Sequence, residues 1–465
     1  MKDESFDIAI IGGGPGGYVT GIRGAQLGFK VALIEREHLG GICLNWGCIP
    51  TKALLRSAEV YRNMKQAAGY GLKADGVAFD LDLVVKRSRN VASELQRGVG
   101  MLLKKNKVSV FNGTGCLKGG GRIEVETDGN KTGIIAKHII LATGARPAVY
   151  KGLEPDGEMV WTSKEAMVQK QLPKRLLVAG AGAIGLEFAS FYNEFGADVT
   201  VIEALPQALP AADEEISVML SRSLNKQGIK IRTSTFLRGI EKQKNAVDVL
   251  LETDGKKEKI QFDRVLLAMG VTGNTEGLGL ENTKAKLNKS FIQVDEWLRT
   301  EEPGLYAIGD VAGPPCLAHK ASHEGVICVE KIAGADGVHP NDPNKVPYCT
   351  YSNPQVASIG ITEKQAAADK REIKVGRFPY AGNGKAVALG DTDGMVKTIF
   401  DAKTGELLGA HMIGAETTEM LQGFGIAMNL ETTEGELMRT IFAHPTLSEM
   451  MHESVLGAYG RAIHI

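Results

Sequence analysis

Two stretches of this chain share one hydrophobic pattern: an apolar run of strand length, a glycine-rich turn, a helix of small residues and a second apolar run ending in an acid. They are FDIAIIGGGPGGYVTGIRGAQLGFKVALIE and RLLVAGAGAIGLEFASFYNEFGADVTVIE. The first glycine precedes the acid by 23 residues in both, from Gly12 to Glu35 and from Gly180 to Glu203. The repeat predicts two strand–turn–helix–strand units.

The glycines of both turns fit the spacing G-x-G-x-x-G. They are Gly12, Gly14 and Gly17 in the first unit, and Gly180, Gly182 and Gly185 in the second. This spacing allows a tight turn, brings a pyrophosphate to the backbone and packs helix on strand, and the acid can bond a ribose. Either turn alone could be an ordinary glycine-bearing connection. Together they indicate two dinucleotide sites on two doubly wound domains.

Further apolar runs end in glycine. Two of them lie in KHIILATGARP and DRVLLAMGVTGN. Between the first strand–turn–helix–strand unit and KHIILATGARP, we expect helices over about 50–64 and 80–105 and strands in VSVFNGTG and GRIEVET. A third strand, in LYAIGD, ends at Asp310, and a helix is predicted to begin near Leu317. This aspartate could bond ligand hydroxyls and the helix N-terminus could face an anion. Gly-Asp after a strand is also typical of a simple turn.

From about Val346 strands and helices alternate without a nucleotide motif. The predicted strands are PQVASIG, MVKTIFD and ELLGAHMIG, followed by helices over about 416–429 and 434–440. Such a region is typical of an α+β domain, and we expect it to be an association surface. The predicted fold class is therefore α/β, with two doubly wound dinucleotide-binding domains and a C-terminal α+β dimerisation domain.

The segment GGICLNWGCIPTK contains Cys43 and Cys48. In a regular helix, residues five positions apart are too distant for the Cα separation of roughly 4.4–6.8 Å that a disulfide requires. A disulfide here therefore needs a bend, which Gly47 permits, and Pro50 suits the first turn of a following helix. So short a loop gives little stabilisation, which favours a redox role. Two unconnected cysteines and half of a zinc site are alternatives.

The segment IFAHPTLSEMMHES places His444 five residues before Glu449. A carboxylate that holds an imidazole fixes its tautomer and raises its basicity, so the pair is a candidate general base. A surface histidine beside an unrelated glutamate is the alternative.

Composition narrows the class of protein. Lysine and arginine number 54 and aspartate and glutamate 55, which argues against nucleic acid or an anionic membrane as a partner. The cysteines outside the pair are scattered, unlike a secreted disulfide framework, and no apolar run is long enough to span a bilayer. We expect a soluble cytoplasmic protein without a metal site.

The order GGGPGG, CLNWGCIPTK, ATGARP, GAGAIGLE, AIGD and AHPTLSE resembles the pyridine nucleotide-disulfide oxidoreductases, from Asp7 to Tyr459. It is most similar to those members that oxidise dihydrolipoamide in 2-oxoacid dehydrogenase complexes. The resemblance implies FAD binding by residues 1–149 and 277–347, NAD binding by 150–276 and homodimerisation through 348–465.

The resemblance also implies a role for each candidate residue. Cys43 is the sulfur attacked by the dithiol, and Cys48 contacts the flavin. The catalytic residues it implies are Cys43, Cys48, His444, Glu449, Lys52 and Glu187, with His444 and Glu449 reaching the partner's disulfide and Lys52 paired with Glu187. The residues implied for FAD are Gly12, Gly14, Gly17, Glu35, Lys52, Gly115, Asp310 and Ala318. Those implied for NAD are Gly180, Gly182, Ala183, Ile184, Gly185, Glu203 and Gly270.

The implied partner is the lipoyl domain of a dihydrolipoyl acyltransferase core. Glu203 favours NAD, because it would repel the 2'-phosphate of NADP. The family's strand after the nicotinamide site commonly continues with Arg-Pro, whereas here Gly270 is followed by VTGNTEG, so the local pocket wall differs.

A glutathione or mercuric reductase and a non-catalytic zinc-binding module are the rival functions. The sequence leaves open which complex the protein serves.

Overall fold

The computed structural model describes residues 3–465. The α-helices are α1 (Pro15–Gln26), α2 (Gly41–Trp46), α3 (Cys48–Lys65), α4 (Leu81–Lys105), α5 (Ser163–Ala166), α6 (Ala183–Glu194), α7 (Glu214–Lys226), α8 (Ala318–Ala333), α9 (Glu363–Ala368), α10 (Gly384–Leu389), α11 (Thr417–Asn429), α12 (Glu434–Arg439) and α13 (Glu449–Ala458). Single 3-10 turns span Ala67–Tyr70, Leu280–Asn282, Gly309–Ala312, Pro343–Lys345 and Tyr380–Gly382.

The central strands of the main sheets follow apolar runs of the sequence. In the first half they are β1 (Glu4–Ile11), β2 (Val31–Glu35), β3 (Ser109–Asn112), β4 (Thr114–Gly119), β5 (Arg122–Thr127), β6 (Asn130–Leu141), β7 (Ala145–Pro147), β8 (Val160–Trp161), β9 (Arg175–Ala179), β10 (Asp198–Ile202) and β11 (Lys230–Arg232). In the second half they are β12 (Thr235–Lys242), β13 (Val247–Thr253), β14 (Lys256–Phe262), β15 (Arg264–Leu267), β16 (Val271–Gly273), β17 (Leu287–Asn288), β18 (Phe291–Ile292), β19 (Leu305–Ala307), β20 (Tyr348–Thr350), β21 (Gln355–Gly360), β22 (Ile373–Pro379), β23 (Met395–Asp401) and β24 (Leu407–Gly414).

The chain forms two compact units. The first comprises the chain up to Leu54 together with Asp82–Ala148 and Gly270–Asn341. Its main sheet has the order β3-β2-β1-β6-β5-β4, with β19 also beside β6. The strands β3, β2, β1, β6 and β19 are parallel, whereas β4 and β5 pair antiparallel. Residues of β1 such as Ile8 and Ile10 are fully buried because helices, including α1 and α8, cover the sheet.

The second unit comprises Leu55–Leu81, Val149–Met269 and Asp342–Ile465. It contains a parallel sheet of order β11-β10-β9-β15-β8 and an antiparallel sheet of order β12-β13-β14. A third, antiparallel sheet has the order β20-β21-β24-β23-β22, and helices α11 and α13 pack on it around a core that includes Phe378 and Phe424. The predicted α+β character of the C-terminal region is confirmed.

One lysine lies in the interior of the second unit. Lys397 of β23 is 2% exposed, and its Nζ contacts Asp213 at 2.7 Å, Glu363 at 2.8 Å and Glu215 at 3.1 Å. Arg377 binds the same Glu215 and Glu363 at 2.7 and 2.5 Å. The buried charge is therefore paired, as burial of an ion requires.

None of the helices within residues 3–465 is both long and apolar enough to cross a membrane.

Candidate active site

Cys43 and Cys48 are joined by a disulfide, with their Cα atoms 4.8 Å apart. Cys43 lies in α2 and Cys48 is the first residue of α3, and the helical path breaks between them at Gly47, whose φ and ψ are −146° and −116°. The bend that the spacing predicted is thus confirmed, and Pro50 occupies the first turn of α3. The pairing also excludes the interpretation as two unconnected cysteines.

Two polar side chains hold this loop from inside. Asn45, which is 4% exposed, donates from Nδ2 to the carbonyl oxygens of Leu39 at 3.0 Å and Gly41 at 2.9 Å. Thr51 donates from Oγ1 to the Gly47 carbonyl oxygen at 2.7 Å. Sequence reasoning missed both residues. The available signal was a polar side chain on either side of Gly47, in a segment that the disulfide must bend.

In the first glycine turn, the surroundings of a Cβ atom differ at the three glycine positions. A Cβ atom at Gly12, which has φ +109°, would lie 2.2 Å from the Ala142 carbonyl oxygen, and one at Gly17 would lie 1.8 Å from the Gly12 carbonyl oxygen. At Gly14, the described chain places only the Gly41 Cα within 4 Å, at 3.8 Å. The first and third glycines are thus required by the fold, whereas the second leaves an open space.

The second turn repeats this arrangement. A Cβ atom at Gly180 would lie 2.3 Å from the Ala268 carbonyl oxygen, and one at Gly185 would lie 2.0 Å from that of Gly180. At Gly182 no atom of residues 3–465 lies within 4 Å of such a Cβ. Space for a pyrophosphate at the N-terminus of a helix is therefore present in both turns, which fits a dinucleotide in each.

Both predicted ribose-binding acids are anchored to their glycine turns. The carboxylate of Glu35 accepts from the backbone N–H groups of Gly13 and Glu37, both at 2.7 Å. That of Glu203 accepts from Ala181 at 2.9 Å and Leu205 at 3.0 Å. Each oxygen retains a lone pair, so both carboxylates are oriented and can still accept from ribose hydroxyls.

Asp310 lies in a 3-10 turn that follows β19. Burial raises the pKa of its carboxyl group and the nearby Glu324 adds to this effect, whereas Lys320 opposes it. Glu324 is itself paired with Lys320 at 2.8 Å and accepts from the Gly309 N–H at 2.7 Å. Ala318 is the first residue of α8, whose start the sequence predicted at Leu317. A half-buried acid thus lies close in sequence to a helix N-terminus at which the N-cap residue, Leu317, makes no side-chain cap.

Two of the remaining predicted ligand residues, Ala183 and Ile184, lie in the second glycine unit, and a third, Gly270, follows β15 in sequence. Ala183 and Ile184 begin α6, and Ile184 is 47% exposed. Gly270 has φ +101°, and a Cβ there would have no neighbour within 4 Å in the described part of the chain. In the first unit, Gly115 of β4 lies against Ile11, since a Cβ would be 3.3 Å from the Ile11 Cδ1.

Lys52 belongs to the first compact unit and Glu187 to the second. Lys52 is half-buried on α3, and Glu187 of α6 is 4% exposed and accepts from the Tyr351 N–H at 3.0 Å. The expected pairing of Lys52 with Glu187 stays a prediction.

The structure brings His444 and Glu449 together. The His444 Nδ1 lies 2.9 Å from one Glu449 oxygen, and the other oxygen accepts from the Thr446 N–H at 2.8 Å. Partial burial alone would raise the pKa of Glu449, but the hydrogen bonds from Thr446 and His444 outweigh it and hold that pKa below its ordinary value. The imidazole is 78% exposed, so its Nε2 side is accessible. Thr446, which sequence reasoning missed, fixes the carboxylate that orients the base.

Two protein-family models match most of the chain. Residues 6–325 match the model described as pyridine nucleotide-disulphide oxidoreductase, and residues 346–455 match the dimerisation domain of the same group. The chain belongs to the pyridine nucleotide-disulphide oxidoreductase family. Membership confirms the family, the fold class and the enzyme class that the sequence predicted, and FAD and NAD are the cofactors of this family.

Curated relatives cover nearly the whole chain. A protein from Rhizobium etli and one from Zymomonas mobilis, both named dihydrolipoyl dehydrogenase, are 54% identical to it, each over 99% of this chain and 99% of the relative. A protein of that name from Bacillus subtilis is 44% identical over the same shares.

Solved structures share the fold over nearly the whole chain. LpdA from Mycobacterium tuberculosis superposes with a TM-score of 0.91 at 26% identity, covering 97% of this chain and 99% of that one. The HOCl-induced flavoprotein disulfide reductase RclA from Escherichia coli gives 0.85 at 28% identity, over 97% and 99%.

Proposed function

We propose that this protein oxidises the dihydrolipoyl group of a lipoyl domain and passes the electrons to NAD⁺. The observation that carries the proposal is the Cys43–Cys48 disulfide across a helix break, in a chain 54% identical to relatives named dihydrolipoyl dehydrogenase. A dithiol substrate suits this centre, because thiol–disulfide exchange transfers two electrons without any other reagent.

The exchange conserves atoms and electrons. One substrate thiolate attacks Cys43, which forms a mixed disulfide and releases Cys48 as a thiolate. The second substrate sulfur then attacks the first, giving cyclic lipoyl disulfide and leaving Cys43 reduced. The substrate loses two electrons and two protons, and the Cys43–Cys48 bond takes up the electrons. Bound FAD supplies the acceptor through which these electrons reach the nicotinamide.

The base for this exchange is His444. Its Nδ1 is held by Glu449, so its exposed Nε2 can take a proton from a substrate thiol. Because residues 346–455 match a dimerisation domain, we place the His444 of one subunit beside the disulfide of the other in a homodimer.

The cofactor assignments follow the glycine turns. FAD would be held at the first turn by Gly12, Gly14, Gly17 and Glu35, together with Lys52, Gly115, Asp310 and Ala318. NAD would be held at the second turn by Gly180, Gly182, Gly185 and Glu203, together with Ala183, Ile184 and Gly270. The pairing of Glu187 with Lys52 is part of the same proposal. The proposed domain bounds are 1–149 with 277–347 for FAD, 150–276 for NAD and 348–465 for dimerisation.

The proposed macromolecular partner is the lipoyl domain of a dihydrolipoyl acyltransferase core. The match to curated dihydrolipoyl dehydrogenases supports it. Cys116, Cys316 and Cys328 form no disulfide within the described residues, which suits a reducing compartment such as the cytoplasm.

The test is a two-substrate comparison on the FAD-loaded protein. Dihydrolipoamide with NAD⁺ should give turnover at least about a hundredfold faster than glutathione disulfide with NADPH, in line with the transition-state discrimination of a matched site. Equal or faster reduction of glutathione disulfide by NADPH would contradict the proposal. A protein that stayed colourless after incubation with FAD would also contradict it.

A further inference from the structure

Helix α4 carries an arginine that stacks on the loop between the two redox cysteines. The guanidinium carbon of Arg89 lies 4.2 Å from the centroid of the Trp46 ring, and Trp46 is the last residue of α2. The Arg89 Nη1 is buried and has no hydrogen-bond partner among residues 3–465. The stack on the Trp46 ring is therefore the contact that positions this part of the guanidinium.

A second arginine of α4 binds the helix that follows this loop. Arg87, two positions earlier, donates from Nη1 to the Ala53 carbonyl oxygen of α3 at 2.9 Å. One arginine therefore contacts the helix that carries Cys43, and the other contacts the helix that carries Cys48.

These contacts matter when the S–S bond is open. In the oxidised protein the disulfide itself links α2 to α3 across Gly47. A dithiol that gives up two electrons and two protons converts the bond to two thiols, and the covalent link is lost. The reverse oxidation requires both sulfurs to return within bonding distance, so contacts that hold α2 beside α3 raise the effective concentration of one thiol for the other.

We propose that Arg87 and Arg89 are positioning residues that hold α2 and α3 together in the reduced state and thereby favour re-formation of the Cys43–Cys48 bond. The inference rests on the proposed function only in that the disulfide must open and close. Neither arginine touches substrate or sulfur in this role; Arg89 acts through the Trp46 ring and Arg87 through the Ala53 backbone.

The experiment measures the thiol–disulfide equilibrium of the FAD-loaded protein directly. Protein is equilibrated with reduced and oxidised dithiothreitol in several ratios, quenched with acid and alkylated, and the peptide with Cys43 and Cys48 is quantified in both forms. Arg89→Met and Arg87→Met should each lower the equilibrium constant for the disulfide by about threefold, the size expected of one partly exposed contact. The double variant should lower it by about tenfold.

Arg97→Met is the matched control, because Arg97 is an exposed arginine on the same helix, and it should leave the constant unchanged. Arg89→Lys keeps the charge but loses the planar stack, so it should shift the constant in the same direction as Arg89→Met. Trp46→Leu removes the ring instead and should do the same, which provides a test if an arginine variant does not fold.

Unchanged constants in the Arg89 and Arg87 variants would overturn the proposal. A shift of Arg89→Met toward the disulfide, with Arg89→Lys like the unmodified protein, would overturn it too, since the charge would then be stabilising a thiolate. The outcome is separate from the proposed function, because the equilibrium needs neither lipoamide nor NAD⁺. Absence of lipoamide turnover in the unmodified protein rejects that function alone.

Discussion

Gly47 lies so close to Ile42 that a Cβ atom on Gly47 would stand 3.0 Å from the Ile42 carbonyl oxygen, and 3.2 Å from the Cys43 Cα. Gly47→Ala should therefore push the two cysteine-bearing helices apart by a few tenths of an ångström. We expect dihydrolipoamide oxidation to fall about tenfold, because misplacement of reacting atoms is costly, and stability to fall by about 1–2 kcal/mol. Activity assays and thermal unfolding measure both. Gly69→Ala, at a site with no neighbour within 4 Å in the described chain, should change neither.

Substitutions in the second glycine turn should affect NAD⁺ binding and protein folding separately. Gly182→Ala meets no described atom within 4 Å, so the protein should fold normally, but the methyl group fills the space proposed for the pyrophosphate. The KM for NAD⁺ should rise about tenfold or more, corresponding to about 1.4 kcal/mol. Gly185→Ala, whose Cβ would lie 2.0 Å from the Gly180 carbonyl oxygen, should instead lower the unfolding temperature. Equal effects of the two variants on folding would contradict this division.

Glu203 should set the preference for NAD⁺ over NADP⁺. Glu203→Gln keeps an oxygen that can accept from the Ala181 N–H but removes the charge that would repel a 2'-phosphate. The ratio of kcat/KM for NAD⁺ to that for NADP⁺ should fall by about tenfold. Glu35→Gln, the equivalent change in the first unit, is the control and should leave this ratio intact. A ratio that did not move would remove Glu203 from the specificity argument.

His444→Gln should abolish the proton transfer while leaving the dimer intact. The expected loss in kcat/KM for dihydrolipoamide is about 10²–10⁴-fold, the usual contribution of a general base. Glu449→Gln should lose less, because the amide can still accept from the imidazole. The dimer is checked by size-exclusion chromatography, and His464→Gln, which changes an imidazole bound to Glu453, serves as the comparison. Full activity of the His444→Gln dimer at neutral pH would show that the base lies elsewhere.

Acid stability should depend on Glu449. Its pKa is held below the ordinary value of 4.5, so the folded state binds a proton less readily than the unfolded state there. Its contribution to stability is therefore fully present above about pH 4.5 and is lost as the pH falls through the lowered folded value. Glu449→Gln should thus lower the unfolding temperature at pH 6 and have a smaller effect at pH 3. An effect that grew on acidification would have the wrong sign.

The parts of the fold predicted from sequence are those encoded locally. The spacing of Gly12, Gly14 and Gly17 determines a turn whose steric demands lie within one strand and one helix, and the bend at Gly47 follows from the geometry of a disulfide. The sheet β12–β14 was not predicted, although the alternation in VDVLLET over β13 was available as a signal.

Contacts between residues far apart in the chain could not be predicted from the sequence. Trp46 and Arg89 meet only because α4 folds back over the loop, and neither residue type indicates the other. The same holds for Lys397, which lies in an apolar strand pattern and whose acidic partner Asp213 is 184 positions away. Local periodicity predicts which face of a helix or strand is buried, but it does not predict which charged residue packs against that face.

The buried Lys397 also limits how far the chain can be divided. A fragment beginning at Asp342 would keep Glu363 but lose Asp213 and Glu215, and so leave an ammonium group that is 2% exposed with most of its counter-charge removed. Breaking a buried pair in this way costs about 3–5 kcal/mol, a large share of a domain's stability. The segment that carries Asp213 and Glu215 and the segment after Asp342 therefore share one buried group of charges and are not independent modules.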